Sequence, residues 1–468
     1  MSNNNQQQQQ QEELYNEIYG NFKNEKLNNN SNNNRQNYND QFYKDRNNQN
    51  HEGNNNSIDN SSNNNNNGNG YKPYRQHEQR HQQRRENQRH NPYNGGGGGG
   101  RGGGHHHQHH NQQHGIVGQI GGQYNDRFNN QQYGQVNKSI YEHYNNRSNT
   151  SRNDRQASKI IKMRSINNWI KSILIQKHSR IGDRVLDICG GKLGDLQKWM
   201  KQSIGRLFVA DIALDSLRHG MGRLNDEIAK QQQPITFDST FVCCDCFSPK
   251  LLESLPPATS KVDLVSCQFA LHYSFRSEES ARQLLHNVTS LLEEGGYFIG
   301  TIPDACYIVK NCRDSKSNRI GNELYSIKFK SLKADNENEI DVKKFGCAYD
   351  FFLEDAIDGL EEYLVHMDIL VELASQYHLE LVSDEDFHSF IRREIYAKPE
   401  NTELFQRMNR SQSISQEEWD ALSIYRLFAF KKRTTTTTTT SDENTKNRPT
   451  PQPKKLQPYK ESDIIINL

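Results

Sequence analysis

Apolar side chains between residues 158 and 178 fall at Ile160, Ile161, Met163, Ile166, Trp169, Ile170, Ile173 and Leu174. That spacing marks one face of a helix. The pattern breaks at Arg180-Ile181-Gly182-Asp183, and residues 184–188 form a short apolar run suited to a buried strand. A glycine-containing loop follows, Cys189-Gly190-Gly191-Lys192-Leu193-Gly194, and residues 195–200 read as the start of a helix.

The alternation then repeats. Residues 206–210 read as a strand ending in Asp211, 213–230 as a helix, and 239–244 as a strand ending in Asp245. Residues 262–267 read as a strand ending in Gln268, 278–292 as a helix, and 296–301 as a strand after a turn at Glu294-Gly295-Gly296. Strands and helices in this order predict an α/β fold with a mostly parallel sheet and helices on both faces. Right-handed crossovers bring the strand C-termini to one edge, where ligands of open α/β sheets bind. The stretches 331–344 and 395–415 are less regular and are expected to be surface loops.

Composition changes the picture at both ends. Only 32% of the 468 residues are hydrophobic, low for a globular chain of that length, and the shortfall is not evenly spread. Residues 1–155 are rich in Asn, Gln, Gly, His and Arg, which cannot bury enough apolar surface to offset chain entropy. They are expected to form a disordered arm. Residues 433–468, opening on a Thr run and continuing with Pro, Lys and Asn, are expected to be a disordered tail. The stretch 156–432 has ordinary composition and is long enough to bury a core as one domain. The arm carries clustered Arg and His at 73–90 and an Arg–Gly tract at 95–104. Such segments can hold RNA loosely, but regular aromatic interleaving is missing, and a solvated tail is the plainer reading. No role is assigned to the His run at 105–110.

A formal net charge of +1 excludes attraction of the whole chain to polyanions, so a nucleic-acid site must come from local arrangement. The first residues lack an apolar signal core, and no apolar run is long enough to span a bilayer. The eight cysteines are therefore expected to be reduced, in cytosol or nucleus. Cys243-Cys244-Asp245-Cys246 lacks the spacing of a structural zinc site, and no second CxxC or HxxxH pair follows. No metal is expected there, only small side chains packing at a strand end.

The four strand ends present the glycine loop, Asp211, Asp245 and Gln268. An adenine nucleoside gives each of them a job. The loop allows close approach of the backbone, Asp211 is placed to accept the ribose hydroxyls, Asp245 can accept from the adenine amino group, and Gln268 can serve the methionine portion. The loop is not GxGxxG, the form that cradles a pyrophosphate. S-adenosylmethionine has no phosphate, which favours it over a nicotinamide dinucleotide. Each Asp also reads as an ordinary cap or turn residue.

Several motifs carry a resemblance. They are Asn167-Asn168-Trp169 with Lys171, Cys267-Gln268-Phe269 with His272-Tyr273-Ser274-Phe275, the run 295–301, Phe345-Gly346-Cys347-Ala348-Tyr349-Asp350-Phe351, Glu362-Tyr363-Leu364-Val365, and the run 423–430. Across the globular region the sequence resembles the eukaryotic mRNA cap guanine-N7 methyltransferases. The resemblance implies a Rossmann-like class I S-adenosylmethionine-dependent methyltransferase fold. It implies cofactor contacts at Lys171, Asp187, Cys189, Gly191, Asp211, Asp245, Gln268 and Tyr273. It implies cap contacts at Asn167, Asn168, Lys192, Lys198, Arg223, His272, Glu362 and Tyr425. Guanine N7 has a free lone pair, so the implied reaction needs no acid or base, only positioning by Glu362, His272 and Tyr425. The implied partners are the capped 5′ end of RNA and other capping or transcription machinery, with a nuclear location and a monomeric catalytic domain.

The family loop reads Gly-Cys-Gly-Lys-Gly-Gly-Asp, so Cys189 and Leu193 stand where it has glycine. Gly190 is expected to absorb the resulting strain by a local shift. Two rival readings stay open at this point: an RNA-binding protein with a degenerate, inactive methyltransferase fold, and a methyltransferase for another acceptor. Read alone, Lys198 could be solvated, Glu362 could form a surface pair with Glu361, and His272 could be a core residue. The arm is expected to add no fold element, so loss of residues 1–150 is expected to spare activity.

Overall fold

The computed structural model describes residues 135–145, 157–255, 261–409, 413–434 and 451–468. Two helices come first, α1 (Gln135–Asn145) and α2 (Ile161–His178). The apolar stripe of α2 is buried, with Trp169, Ile170 and Leu174 fully enclosed. The expected alternation follows as β1 (Arg184–Ile188), α3 (Leu196–Lys201), β2 (Arg206–Asp211), α4 (Leu214–Lys230), β3 (Asp238–Cys244), α5 (Lys250–Ser254), β4 (Val262–Gln268), α6 (Glu278–Leu291) and β5 (Leu292–Pro303).

These strands pair in parallel, β1 with β2 and β4, β2 with β3, and β4 with β5. Their apolar runs reflect burial of both sheet faces. Val185, Leu207, Val209 and Leu264 join one hydrophobic cluster, and Leu186, Phe208, Ala210 and Val265 join the other. β5 starts earlier than expected. Glu294-Gly295-Gly296 lies inside the strand, where the register against β4 shifts and Gly295 adopts φ 74°. The glycine pair marks a bulge, not a bounding turn.

Beyond β5 the chain adds elements that the parallel pattern did not announce. After α7 (Ala305–Asp314), strands β6 (Arg319–Gly321) and β7 (Tyr325–Phe329) begin a second, antiparallel sheet. A hairpin of β8 (Leu332–Lys333) and β9 (Asn336–Ile340) occupies the stretch expected as a loop at 331–344. β10 (Ala348–Leu353) and β11 (Ile357–Tyr363) complete the second sheet, in the order β11-β10-β7-β6. Helix α8 (Met367–Gln376) leads to β12 (Leu379–Asp386), which pairs antiparallel with the later β13 (Tyr425–Lys432).

Between them lie α9 (Phe387–Glu394), α10 (Pro399–Met408) and α11 (Gln416–Leu422). The stretch 395–415 is therefore not simply a surface loop. Phe405 is buried edge-on against Trp169, whose indole N–H donates to the Asn401 carbonyl at 3.0 Å. Pro399 in the first turn was the available signal.

Two boundaries are corrected. The arm expected at 1–155 includes α1. The tail expected at 433–468 includes β14 (Ile464–Asn467), which pairs in parallel with β3. The large sheet thus runs β12-β13-β5-β4-β1-β2-β3-β14. A run of three isoleucines is too short to stand alone as a strand, but the unpaired edge of β3 supplies the ladder it needs. The Arg–His, Arg–Gly and His tracts of the arm lie outside the described residues. Among the described residues no helix is long and apolar enough to cross a membrane.

Candidate active site

The loop after β1 turns in the left-handed region three times, at Cys189 (φ 55°), Gly191 (φ 53°) and Leu193 (φ 52°). Gly190 does not take up the strain in their place. It is needed for close approach, since a Cβ there would lie 2.8 Å from Val209 Cγ1 and 3.2 Å from the Asp187 carbonyl. Cys189 and Leu193 therefore hold a conformation costing on the order of 1 kcal/mol each. The buried Leu193 side chain offsets its share by packing in the core. Gly220 on α4 makes room for it, because a Cβ at 220 would lie 3.1 Å from Leu193 Cβ.

The loop borders a cavity at the C-terminal edge of the sheet. Its wall includes Cys189, Gly191, Asp211, Asp245, Gln268 and Tyr273, all expected from the sequence, together with Ile212, Phe247, Phe269 and Cys246. Asp211 accepts the Gly191 N–H on Oδ2 and the Ala213 N–H on Oδ1, both at 2.8 Å. Burial pushes its carboxyl up to about 7 against those hydrogen bonds. Asp245 accepts the Phe247 N–H at 2.8 Å, and burial raises its pKa too, opposed by the Phe247 N–H and by Arg276. Gln268 is held by Ser266 and Thr301, each at 3.2 Å. The Phe269 backbone, at φ 56°, is fixed by its N–H to Thr301.

Lys171 and Asp187 are not on the cavity wall. Lys171 joins Lys198 on the buried Asp195, at 2.8 and 2.7 Å, and Lys198 also donates to Asn168 at 3.1 Å. Lys198 is therefore not a solvated helix residue. Burial works against the Asp195 charge, but the two ammonium groups outweigh it and hold its carboxyl well below the usual range. Asp187 lies beneath the loop, near Trp199, and burial plus repulsion from Asp195 raises it to about 7. The Asn167 side-chain oxygen is buried with no hydrogen-bond partner among the described residues.

A second group of side chains meets this cavity across Phe269 and Tyr273. The His272 and Tyr273 rings are 4.3 Å apart, and Phe269 packs edge-on against Tyr425 at 5.0 Å. Glu362 on β11 is 2% exposed, so it is not part of a surface pair. Its neighbour Glu361 points the other way, to Lys330 and Tyr363, as strand alternation requires. Tyr349 donates to Glu362 Oε2 at 3.0 Å, and His272 Nε2 lies 3.4 Å from Oε1. Neither His272 ring nitrogen has a hydrogen-bond partner among the described residues. Lys192 and Arg223 gather near His219, whose pKa is lowered by burial and by their two positive charges.

Besides the wall residues Ile212, Phe247, Phe269 and Cys246, the sequence reading missed Tyr349, Asp195, Ile140 and Tyr144. Tyr349 lies inside a motif that carries the resemblance, and its pairing with Glu362 comes from the cross-strand register, which sequence spacing does not reveal. Asp195 follows the glycine loop directly. Ile140 and Tyr144 come from α1, within the compositionally biased arm. Both line the cavity, and the Tyr144 hydroxyl lies 3.2 Å from that of Tyr273.

The donor set suits an adenosyl group. Two buried carboxylates stand at successive strand ends, beside apolar walls at Ile140, Ile212 and Phe247, and Gly191 leaves its side of the loop open. A parallel sheet carrying such a set at its C-terminal edge defines a Rossmann-like class I S-adenosylmethionine-dependent methyltransferase. Comparison with known proteins narrows the class. The mRNA (guanine-N(7))-methyltransferase domain family matches residues 127–433, and the chain belongs to that family.

It is 40% identical over 304 residues to mRNA cap guanine-N(7) methyltransferase 1 of Oryza sativa subsp. japonica, covering 63% of this chain and 81% of that protein. The mRNA cap guanine-N(7) methyltransferase of Drosophila melanogaster is 35% identical over 333 residues, covering 63% and 76%. That of Saccharomyces cerevisiae is 35% identical over 311 residues, covering 64% and 70%. The enzyme is an mRNA (guanine-N7)-methyltransferase, and S-adenosylmethionine is its cofactor.

Proposed function

We propose that the cavity bordered by the β1 loop holds S-adenosylmethionine and that the adjoining Glu362 group holds the cap guanine. Asp211 accepts the ribose hydroxyls, Asp245 the adenine amino group, and Cys189, Gly191 and Gln268 border the methionine portion. Lys171 and Asp187 act from behind, by fixing Asp195 and the loop. Bound S-adenosylmethionine supplies an electrophilic methyl on a sulfonium.

This chain's part is positioning. Guanine N7 carries no proton, so no side chain has to act as acid or base. Aligning N7 with the methyl can be worth about 7–11 kcal/mol. Glu362 accepts from the N1 and N2 edge and stabilises the positive charge that develops on the purine. His272 and Tyr425 fix the base, and Tyr349 steadies the carboxylate. Lys192, Lys198 and Arg223, with Asn167 and Asn168, hold the triphosphate through charge-assisted hydrogen bonds. The observation that carries the reading is the buried Glu362, with Tyr349 on one oxygen and His272 beside the other.

RNA binding through the capped 5′ end, a nuclear location, and contact with other capping or transcription machinery follow from that substrate. The test is transfer of labelled methyl to GpppA, to ATP and to uncapped RNA. Labelling of GpppA alone is expected, and equal labelling of uncapped RNA would remove the cap assignment.

A further inference from the structure

One face of helix α4 leads away from the proposed cofactor cavity. Ser216 lines that cavity and is buried. His219, Gly220 and Arg223 follow at the spacing that keeps residues on one side of a helix. Gly220 presses on the backbone of the β1 loop. A Cβ there would lie 3.2 Å from the Gly191 carbonyl oxygen and 3.2 Å from the Leu193 nitrogen. Lys192 stands between those two loop residues. The packing of loop on helix thus brings Lys192, His219 and Arg223 to one edge of the cavity.

The Nδ1 atom of His219 is enclosed and has no hydrogen-bond partner among the described residues. Enclosed ring nitrogens are normally paired, so this one calls for a partner. The surrounding groups do not supply it. Arg218 is turned to Asp215 at 2.7 Å and to Glu461 of the C-terminal segment at 3.3 Å. Helix α1 meets α4 through Asn145, whose side-chain oxygen accepts the Asp215 N–H at 3.0 Å.

We propose that His219 is a further ligand of the cap triphosphate, donating from its ring to a phosphate oxygen that Lys192 and Arg223 also hold. The inference rests on the reading of Lys192 and Arg223 as triphosphate contacts. It adds a group whose charge depends on the substrate.

Burial and the charge of Lys192 lower the pKa of His219, Asp215 opposes them, and Arg223 lowers it further. The ring is therefore neutral near pH 7 in the free protein. A triphosphate brings negative charge to the same edge and favours the imidazolium. His219 takes a proton from solvent as the cap binds, and its N–H then makes a charge-assisted hydrogen bond. A guanosine without the phosphate bridge gains nothing from this contact, so His219 favours the capped end over free guanosine.

Methylation of GpppA by the full chain is measured at saturating S-adenosylmethionine for the wild type, His219→Ala and His219→Gln. Binding of S-adenosylhomocysteine is followed by calorimetry for the same three. KM for GpppA should rise about tenfold in His219→Ala. The rise should be smaller in His219→Gln, whose amide still donates, while S-adenosylhomocysteine affinity stays level in both. Inorganic tripolyphosphate should compete with GpppA, and about tenfold less well in His219→Ala. In the wild type, KM should fall as pH is lowered from about 8 to about 6, and both variants should lose that slope. His219→Gln fills similar space, so the comparison stands if the alanine variant fails to fold.

Absence of methyl transfer to GpppA by the wild type would count against the cap reading itself. An unchanged KM in the variants, a pH slope shared by all three proteins, or a KM rise matched by an equal loss of S-adenosylhomocysteine affinity would overturn the role of His219 alone.

Discussion

The Tyr349 hydroxyl donates to Glu362 Oε2 at 3.0 Å across the β10–β11 ladder, and both side chains are buried. A buried carboxylate held in this way is a preorganised acceptor, which suits the role toward the guanine proposed for it. Glu362→Ala is expected to lower kcat by roughly 100-fold or more while leaving S-adenosylhomocysteine affinity within a few-fold. Tyr349→Phe removes one hydrogen bond worth about 1 kcal/mol, so a loss of about fivefold in kcat/KM for GpppA is expected. Steady-state kinetics paired with calorimetry separates the two effects. A dominant loss of cofactor binding in Glu362→Ala would contradict its assignment to the base.

Helix α1 changes what the N-terminal arm is for. Tyr144 faces Tyr273 hydroxyl to hydroxyl, and Ile140 lines the same cavity. A chain beginning at residue 127 should retain activity. One beginning at residue 157 should still fold but bind S-adenosylhomocysteine at least about tenfold more weakly, since it loses one apolar wall of the site. This reverses the expectation that residues 1–150 are dispensable. Equal affinity in the two truncated chains, measured by calorimetry, would restore it.

Asp211 supplies a pH dependence with a definite sign. Burial raises its carboxyl to about 7, partly offset by the Ala213 and Gly191 N–H groups. In the proposed arrangement ribose hydroxyls donate to the charged form, so cofactor binding favours deprotonation and releases a proton below that pH. Affinity for S-adenosylhomocysteine should therefore rise with pH and level off above about 8, falling by up to about tenfold per unit on the acid side. Asp187 titrates in the same range but does not line the cavity. Asp211→Asn should bind more weakly and with a flat profile. A wild-type profile without slope, or a slope that persists in Asp211→Asn, would refute the assignment.

The parallel half of the fold was legible because its strands are buried on both faces and its helices carry apolar stripes. β1 was read to the residue, and Asp211, Asp245 and Gln268 were expected at the strand ends where they lie. The rest was hidden for physical reasons. β10 and β11 alternate weakly, so Tyr349 and Glu362 gave no signal as a pair. α1 has few aliphatic residues, and its biased surroundings masked it. Gly295 and Gly296 read as a turn because a bulge and a turn draw on the same residue. Lys171 and Lys198 share Asp195, a contact set by the fold and invisible in their spacing.

The C-terminal strand yields the last prediction. Ile464 pairs opposite Phe241, and Tyr459 packs edge-on to the same ring and accepts the Ser239 N–H at 2.8 Å. Asn225 on α4 bonds the Tyr459 backbone at 2.9 Å through its side-chain amide. The Lys454–Asp238 ion pair is solvent-exposed and adds little, so apolar cover and backbone pairing dominate. Removing residues 451–468 strips one ladder from β3 and leaves an open parallel edge. Losing one buried Ile alone costs about 2 kcal/mol, and at about 2–4 °C per kcal/mol the Tm should fall by at least about 4 °C. The shortened protein should also scatter more light on heating, as free strand edges associate. Its activity well below the Tm should be close to that of the full chain, because no site residue lies in the segment. An unchanged Tm in differential scanning calorimetry would mean that β3 gains nothing from its neighbour.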